Sequence, residues 1–179
     1  MRRYILTGAP GAGKTTILHA LKARGVSVVE EAATDVVAEA QAQARGVAEP
    51  WADPGFIDAI VALQKQRQLA ASGADVQIFD RSPVCTHALA VHLGRPISSP
   101  LLAEIGRVRR EATYEPGVFF IENLGFVEPT AVRRISFEDS LTFEAVHEQS
   151  YRAFGYNLIR IPPASVEARV EAILGALRS

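Results

Sequence analysis

The 179 residues carry 19 Lys and Arg against 20 Asp and Glu, a net charge of −1, so the overall balance gives no reason to expect nucleic acid or an anionic membrane as partner. With 48% hydrophobic and 22% charged residues, the composition is that of a soluble globular protein, of a length suited to one domain over 1–179. Cys85 is the single cysteine, which excludes an intrachain disulfide and a cysteine-rich metal site and predicts a reducing, cytoplasmic setting. No apolar run approaches the ~20 residues that cross a bilayer, and Met1-Arg2-Arg3 is followed too soon by a glycine loop to read as a signal peptide.

The chain opens on Tyr4-Ile5-Leu6, an apolar run suited to a buried strand. It then enters Gly8-Ala9-Pro10-Gly11-Ala12-Gly13-Lys14-Thr15, which has the G-x-x-x-x-G-K-[ST] spacing of a phosphate-binding P-loop. Thr16 to Lys22 carry apolar residues at helical spacing. A strand that turns through glycines into a helix surrounds an anion with backbone N–H groups and the positive end of the helix dipole. Gly8, Ala9, Pro10, Gly11, Ala12, Gly13, Lys14, Thr15 and Thr16 are therefore the candidate nucleotide-binding residues, with ATP as the expected ligand. Lys14 is expected to reach the β- and γ-phosphates, and the Thr15 hydroxyl to ligate Mg²⁺.

Val26 to Val29 reads as a second strand after the Arg24-Gly25 turn, and it runs into Glu30-Glu31 and a helix over about 32–44. Gly46 to Pro54, with Trp51, is expected to be a loop; Trp51 reads as its anchor. Phe56, Ile60 and Leu63 predict a helix over 56–71, and Val76-Gln77-Ile78-Phe79-Asp80 a third strand with an acid at its carboxyl end. Helices over 83–93 and 99–112 follow, divided at Gly94-Arg95-Pro96; Val118 to Ile121 is a fourth strand. Residues 123–135 have few regular signals, and 124–135 is the expected lid. Ser136-Phe137-Glu138-Asp139 has capping-box spacing for a helix to about Phe154, before a fifth strand at 157–161. The last helix begins near Ser165 with an apolar stripe of Val166, Val170, Ile173, Leu174 and Leu177. Five strands interleaved with helices predict a parallel sheet covered on both faces, with ligand beyond the strands' carboxyl ends.

Asp80 fits a Walker B acid, a direct or water-mediated Mg²⁺ partner, and Arg81 beyond it could hold phosphate bidentately. The plainer alternative has Asp80 capping the next helix and pairing with Arg81. Glu30 and Glu31 share the same rim of the sheet; either could take the proton of an acceptor hydroxyl, Glu31 being favoured, or both could be solvated. Arg133 and Arg134 suit a segment that closes over a phosphoryl group. Arg107, Arg109 and Arg110 read as a solvated helix face, and Cys85 as a small buried residue. His19, His87, His92 and His147 lack metal-ligand spacing.

On Gly8 to Thr15, Glu31-Ala32-Ala33, Asp80-Arg81-Ser82-Pro83, Arg133-Arg134, Gly155-Tyr156 and Ile161-Pro162, the chain resembles the small kinase-like predicted ATPases among AAA-type P-loop proteins. That family is similar to the ribosylnicotinamide kinase domain of bifunctional NAD-biosynthesis proteins, and more distantly to nucleoside and nucleoside-monophosphate kinases. The resemblance implies an α/β P-loop NTPase fold: a five-stranded parallel sheet in the order 2-3-1-4-5 with a lid between strands four and five. It also likens Asp80-Arg81-Ser82 to the acid-Arg-Ser motif of deoxynucleoside kinases, whose acid serves as base and metal partner. Thr34 stands where the kinase-domain relatives often carry an Arg, and their acceptor pocket has no recognisable counterpart in residues 35–56.

Two functions follow as expectations. One is a kinase that moves the ATP γ-phosphoryl to a hydroxyl of a nucleoside-like small molecule, with Lys14, Asp80, Arg81, Glu31, Arg133 and Arg134 as its catalytic groups and Thr15 and Asp80 on the metal. The other is a nucleotide-dependent regulatory ATPase that acts on a protein partner.

Overall fold

The computed structural model describes residues 1–43, 52–71, 73–125 and 136–178. β1 (Arg2–Thr7), β2 (Ser27–Val29), β3 (Val76–Asp80), β4 (Gly117–Ile121) and β5 (Asn157–Ile161) form one parallel sheet in the order β2-β3-β1-β4-β5, as expected. The helices are α1 (Lys14–Ala23), α2 (Ala33–Gln43), α3 (Phe56–Ala70), α4 (Pro83–His92), α5 (Ser99–Arg110), α6 (Phe137–Ala153) and α7 (Val166–Arg178). None of these is long and apolar enough to cross a membrane.

Alternation along the strands divides the core between the two faces of the sheet. Ile5, Phe79 and Val118 join Ile60 of α3, Ile105 of α5 and Tyr151 of α6 on one side. Leu6, Ile78 and Phe119 join Ile17 and Leu21 of α1 with Val170 and Ile173 of α7 on the other. The expected apolar stripe of the last helix therefore holds, except at Val166, which is exposed in its first turn.

Serine hydroxyls start the helices as their sequences predict. Ser136 Oγ accepts from the Asp139 N–H at 3.0 Å, while Asp139 Oδ2 accepts the Ser136 hydroxyl at 2.7 Å. Ser165 Oγ accepts from the Ala168 N–H at 3.2 Å. α1 differs: Gly13 precedes it in a left-handed conformation, φ 84°, no side chain caps it, and its first turn holds no acid. That leaves the positive end of α1 open to an anion.

Strand register places the site. Leu6 pairs with Asp80, Val29 with Phe79 and Thr7 with Phe120, so the central strands end level beside the glycine loop. The loop can lie there only because residue 8 is glycine. Its φ is 146°, and a Cβ at this position would sit 2.3 Å from the Ile121 carbonyl oxygen at the end of β4. Gly8→Ala should therefore lower unfolding free energy by at least about 3 kcal/mol, the range of clash and strain together. Urea denaturation checks this; a loss under about 1 kcal/mol would mean that the loop shifts freely away from β4.

Candidate active site

The loop from Gly8 to Gly13 folds around its own lysine. Lys14 Nζ donates to the Ala9 carbonyl at 2.9 Å and the side chain is buried. Burial, then the Arg81 charge, pull its pKa down to about 7, against the opposing pull of Asp80 and Glu31. Thr15 and Thr16 follow on the exposed side of the first turn.

Across the rim, Asp80, Arg81 and Ser82 take separate tasks. Ser82, not Asp80, caps α4, its Oγ accepting from the Val84 N–H at 3.2 Å. The alternative in which Asp80 caps the helix is thus corrected, while Arg81 remains the strongest opposite charge acting on Asp80. Asp80 Oδ1 is buried with no hydrogen-bond partner, and burial, against the pull of Arg81 and with the push of Glu31, raises its pKa to about 6. Arg81 adopts φ 72°, rare for a residue with a side chain, and its N–H donates to the Leu6 carbonyl at 3.0 Å.

That backbone turn sends the Arg81 guanidinium to Glu31, with which Nε forms an ion pair. The other Glu31 oxygen accepts the Thr34 hydroxyl at 2.9 Å. Burial would raise the Glu31 pKa, but Arg81, Lys14 and the Thr34 bond together hold it below the usual carboxylate value. Thr34 thus serves as a carboxylate partner. Glu30 instead points outward and pairs with Lys22 at 3.0 Å on the surface. The structure thus brings together Lys14, Glu31, Asp80 and Arg81 and leaves Glu30 out. Trp51, Arg133, Arg134 and residues 126–135 of the expected lid lie outside the described residues.

Two supporting residues escaped the sequence reading. Arg67 of α3 donates to the carbonyls of Glu30 at 2.9 Å and Glu31 at 2.5 Å and pairs with Asp35, fixing the backbone that carries Glu31. His147 of α6 is the second. Its Nδ1 lies 2.9 Å from the Phe143 carbonyl, which can only accept, so Nδ1 carries the proton and Nε2 accepts from Arg81 Nη1 at 3.3 Å. Neither residue stands in a motif; a histidine among apolar residues reads as core.

Behind them a buried polar chain joins the loop to α6. Thr7 Oγ1 is 3.1 Å from Cys85 Sγ, Cys85 Sγ 2.9 Å from Tyr151 Oη, and Tyr151 Oη 2.8 Å from Ser82 Oγ. Cys85 is buried, as expected. Arg107 is not the solvated residue expected: it is held by the buried Glu104 and by Gln68, and only Arg109 and Arg110 are exposed. A small cavity beside Asp80 and Arg81 is bounded by Gln64, Arg67, Phe79 and Tyr114.

Compared with known proteins, the chain matches the model of a family described as an AAA domain over residues 3–169. No curated protein matches it. Among solved structures it is similar to thymidylate kinase from Ehrlichia chaffeensis, at 13% identity and a TM-score of 0.63, over 98% of each chain. It is similar also to deoxyadenosine kinase from M. mycoides with bound dATP, at 16% identity and a TM-score of 0.57, over 99% of this chain and 100% of that one. The same kinase with its products dCMP and dCDP gives 16% identity and a TM-score of 0.61, over 98% of each chain. At these identities the likeness carries the P-loop kinase fold; a resemblance to ribosylnicotinamide kinases is not part of it.

The buried histidine makes stability depend on pH. Burial and the Arg81 charge lower the His147 pKa from 6.5 to about 3, so between those values the unfolded chain binds a proton that the folded chain refuses. Stability from this group falls on acidification by about 1.4 kcal/mol per pH unit. Asp80, raised from 3.8 to about 6, acts oppositely: its contribution is complete below 3.8 and lost as pH rises through 6. His147→Gln removes the first effect and keeps the second. From pH 6.5 to 4.5 the variant should therefore gain about 2 kcal/mol relative to wild type in urea denaturation. A difference independent of pH would contradict a neutral, buried His147.

Proposed function

The chain belongs to the AAA domain family, and on that premise we propose that it is a kinase that moves the γ-phosphoryl of ATP to a hydroxyl of a nucleoside-like small molecule. The carrying observation is the Glu31–Arg81 ion pair on the rim that also bears Lys14 and Asp80. A carboxylate kept ionised by a buried guanidinium, next to a phosphate loop, suits an acceptor that must lose a proton.

The α1 N-terminus and Lys14 receive the β- and γ-phosphates. The residues also fit a divalent cation: Asp80 Oδ1 is a buried, unpartnered hard oxygen, and the Thr15 hydroxyl is exposed at the start of α1. Thr15 and Asp80 would hold Mg²⁺, which when bound neutralises charge on the phosphates. Glu31 orients the acceptor hydroxyl and takes its proton as that oxygen bonds to the γ-phosphorus. The bond from the γ-phosphorus to the bridging oxygen breaks, and ADP leaves with the electron pair. Arg81 stays beside the transferring group, where its fork stabilises developing negative charge. The expectation that Arg133 and Arg134 close over this group stays part of the proposal, as does a cytoplasmic setting.

The test follows ADP release from Mg·ATP with deoxynucleosides, nucleosides and nucleoside monophosphates offered one at a time. At least one should raise the rate well above the acceptor-free rate. Glu31→Gln should then lower acceptor-dependent turnover by about 10²–10⁴ while ATP still binds, and Lys14→Ala should weaken ATP binding itself. ATP hydrolysis at one rate whatever the acceptor would overturn the kinase and favour a hydrolytic switch.

A further inference from the structure

Among the described residues, Arg169 spends a buried guanidinium on the glycine loop itself. It stands in the first turn of α7 and is 3% exposed. Nη1 donates to the Ala12 carbonyl at 2.9 Å and Nη2 to the Glu122 carbonyl beyond β4 at 2.9 Å. Nε is buried with no hydrogen-bond partner, and no carboxylate pairs with this guanidinium among the described residues; the Glu122 carboxylate is taken by Arg160 at 2.9 Å.

Each feature disfavours a cation here. The first turn of a helix is its positive end, and a buried charge without a counterion loses its hydration. Burial accordingly lowers the Arg169 pKa, against the opposing pull of Glu122. Stability alone gives no reason for such a residue. An anion on the other side of the loop does.

The geometry shows how the two sides communicate. The peptide bond between Ala12 and Gly13 is trans, so the Ala12 C=O and the Gly13 N–H point in opposite directions across their shared plane. A carbonyl pinned against Arg169 turns the Gly13 N–H away from α7. Left-handed glycines on both sides, Gly11 at φ 87° and Gly13 at φ 84°, would otherwise let this stretch of backbone rotate at little cost. The guanidinium is close enough to notice: a Cβ at Gly13 would lie 3.4 Å from Nη1.

We propose that Arg169 is a positioning residue of the phosphate loop: bridging the Ala12 and Glu122 carbonyls, it holds the Gly13 N–H toward a bound polyphosphate, and its unpaired charge adds to that ligand's affinity. The inference rests on the phosphate-loop half of the proposed function and is independent of the acceptor. A lysine cannot replace the arginine, because one ammonium does not span two carbonyls as a planar fork does.

Calorimetric titration of ATP, ADP and AMP into wild type, Arg169→Met, Arg169→Lys and Lys14→Ala tests it, with circular dichroism and thermal unfolding on each. In Arg169→Met the Kd for ATP and ADP should rise at least tenfold, and that for AMP less than twofold. Arg169→Lys should lose at least fivefold for ATP. A merely structural role would lower the melting temperature and leave the ATP-to-AMP affinity ratio unchanged. That unchanged ratio in either folded variant, or full restoration by lysine, overturns the inference; if Arg169→Met does not fold, Arg169→Lys decides by the same criteria. ATP affinity unaffected in Lys14→Ala would instead overturn the phosphate-loop reading itself.

Discussion

Everything on the rim of this sheet depends on where the Arg81 guanidinium is held. Its backbone sits in the left-handed region, at a cost of about 1 kcal/mol or more, and its charge is buried. Three separated pieces of chain offset that: the Leu6 carbonyl on β1, the Glu31 carboxylate after β2 and the His147 ring on α6. The cation is directly ion-paired to Glu31 and hydrogen-bonded to a neutral acceptor, with Asp80 acting on it through charge alone, so it keeps donors suited to further anionic charge. His147 cannot share the load by taking a proton, because a second cation against Arg81 in the same dry pocket is what burial and charge both oppose.

The same logic recurs beneath the glycine loop. Arg169 meets only carbonyls, and Lys14 folds onto the loop with its pKa pulled down. Lys14 from α1 and Arg81 from the end of β3 therefore approach one small volume, while Arg169 of α7 holds the glycine loop from its far side. The proposed polyphosphate would supply the negative charge that these groups lack. Among the described residues, Asp80 leaves one carboxylate oxygen buried without a hydrogen-bond partner beside Arg81, Glu31 and Lys14. Burying charge in this way sacrifices stability for a site organised before its ligand arrives.

Local signals were enough for much of this. Gly8 to Thr15 announces its own turn and helix start, and an apolar run that ends in Asp80-Arg81-Ser82 announces the opposite side. The sequence favours Glu31 over Glu30 only through the pattern Glu31-Ala32-Ala33; the pairing of Glu31 with Arg81 and Thr34, and of Glu30 with Lys22, is tertiary. His147, Arg67 and Arg169 were not legible. Each is a lone polar residue on an amphipathic helix, and its partner is a backbone carbonyl or a residue 32 to 157 positions away. Arg107 misled for a related reason: its neighbours in sequence are basic, yet it turns to a buried acid one helical turn back. Sequence periodicity reports which face is apolar; it does not report a buried charge whose partner lies on another element.

The account stands on Glu31 and Arg81 acting as one unit on the acceptor hydroxyl, and a double-mutant cycle measures that directly. Acceptor-dependent ADP release would be compared in wild type, Glu31→Gln, Arg81→Lys and the double variant. Two groups that work only together lose nearly everything when either is changed. The double variant should therefore be no slower than the worse single variant, within about threefold. Losses that multiply, each substitution costing the same factor whether or not the other is present, would contradict a shared site and separate the arginine from the base.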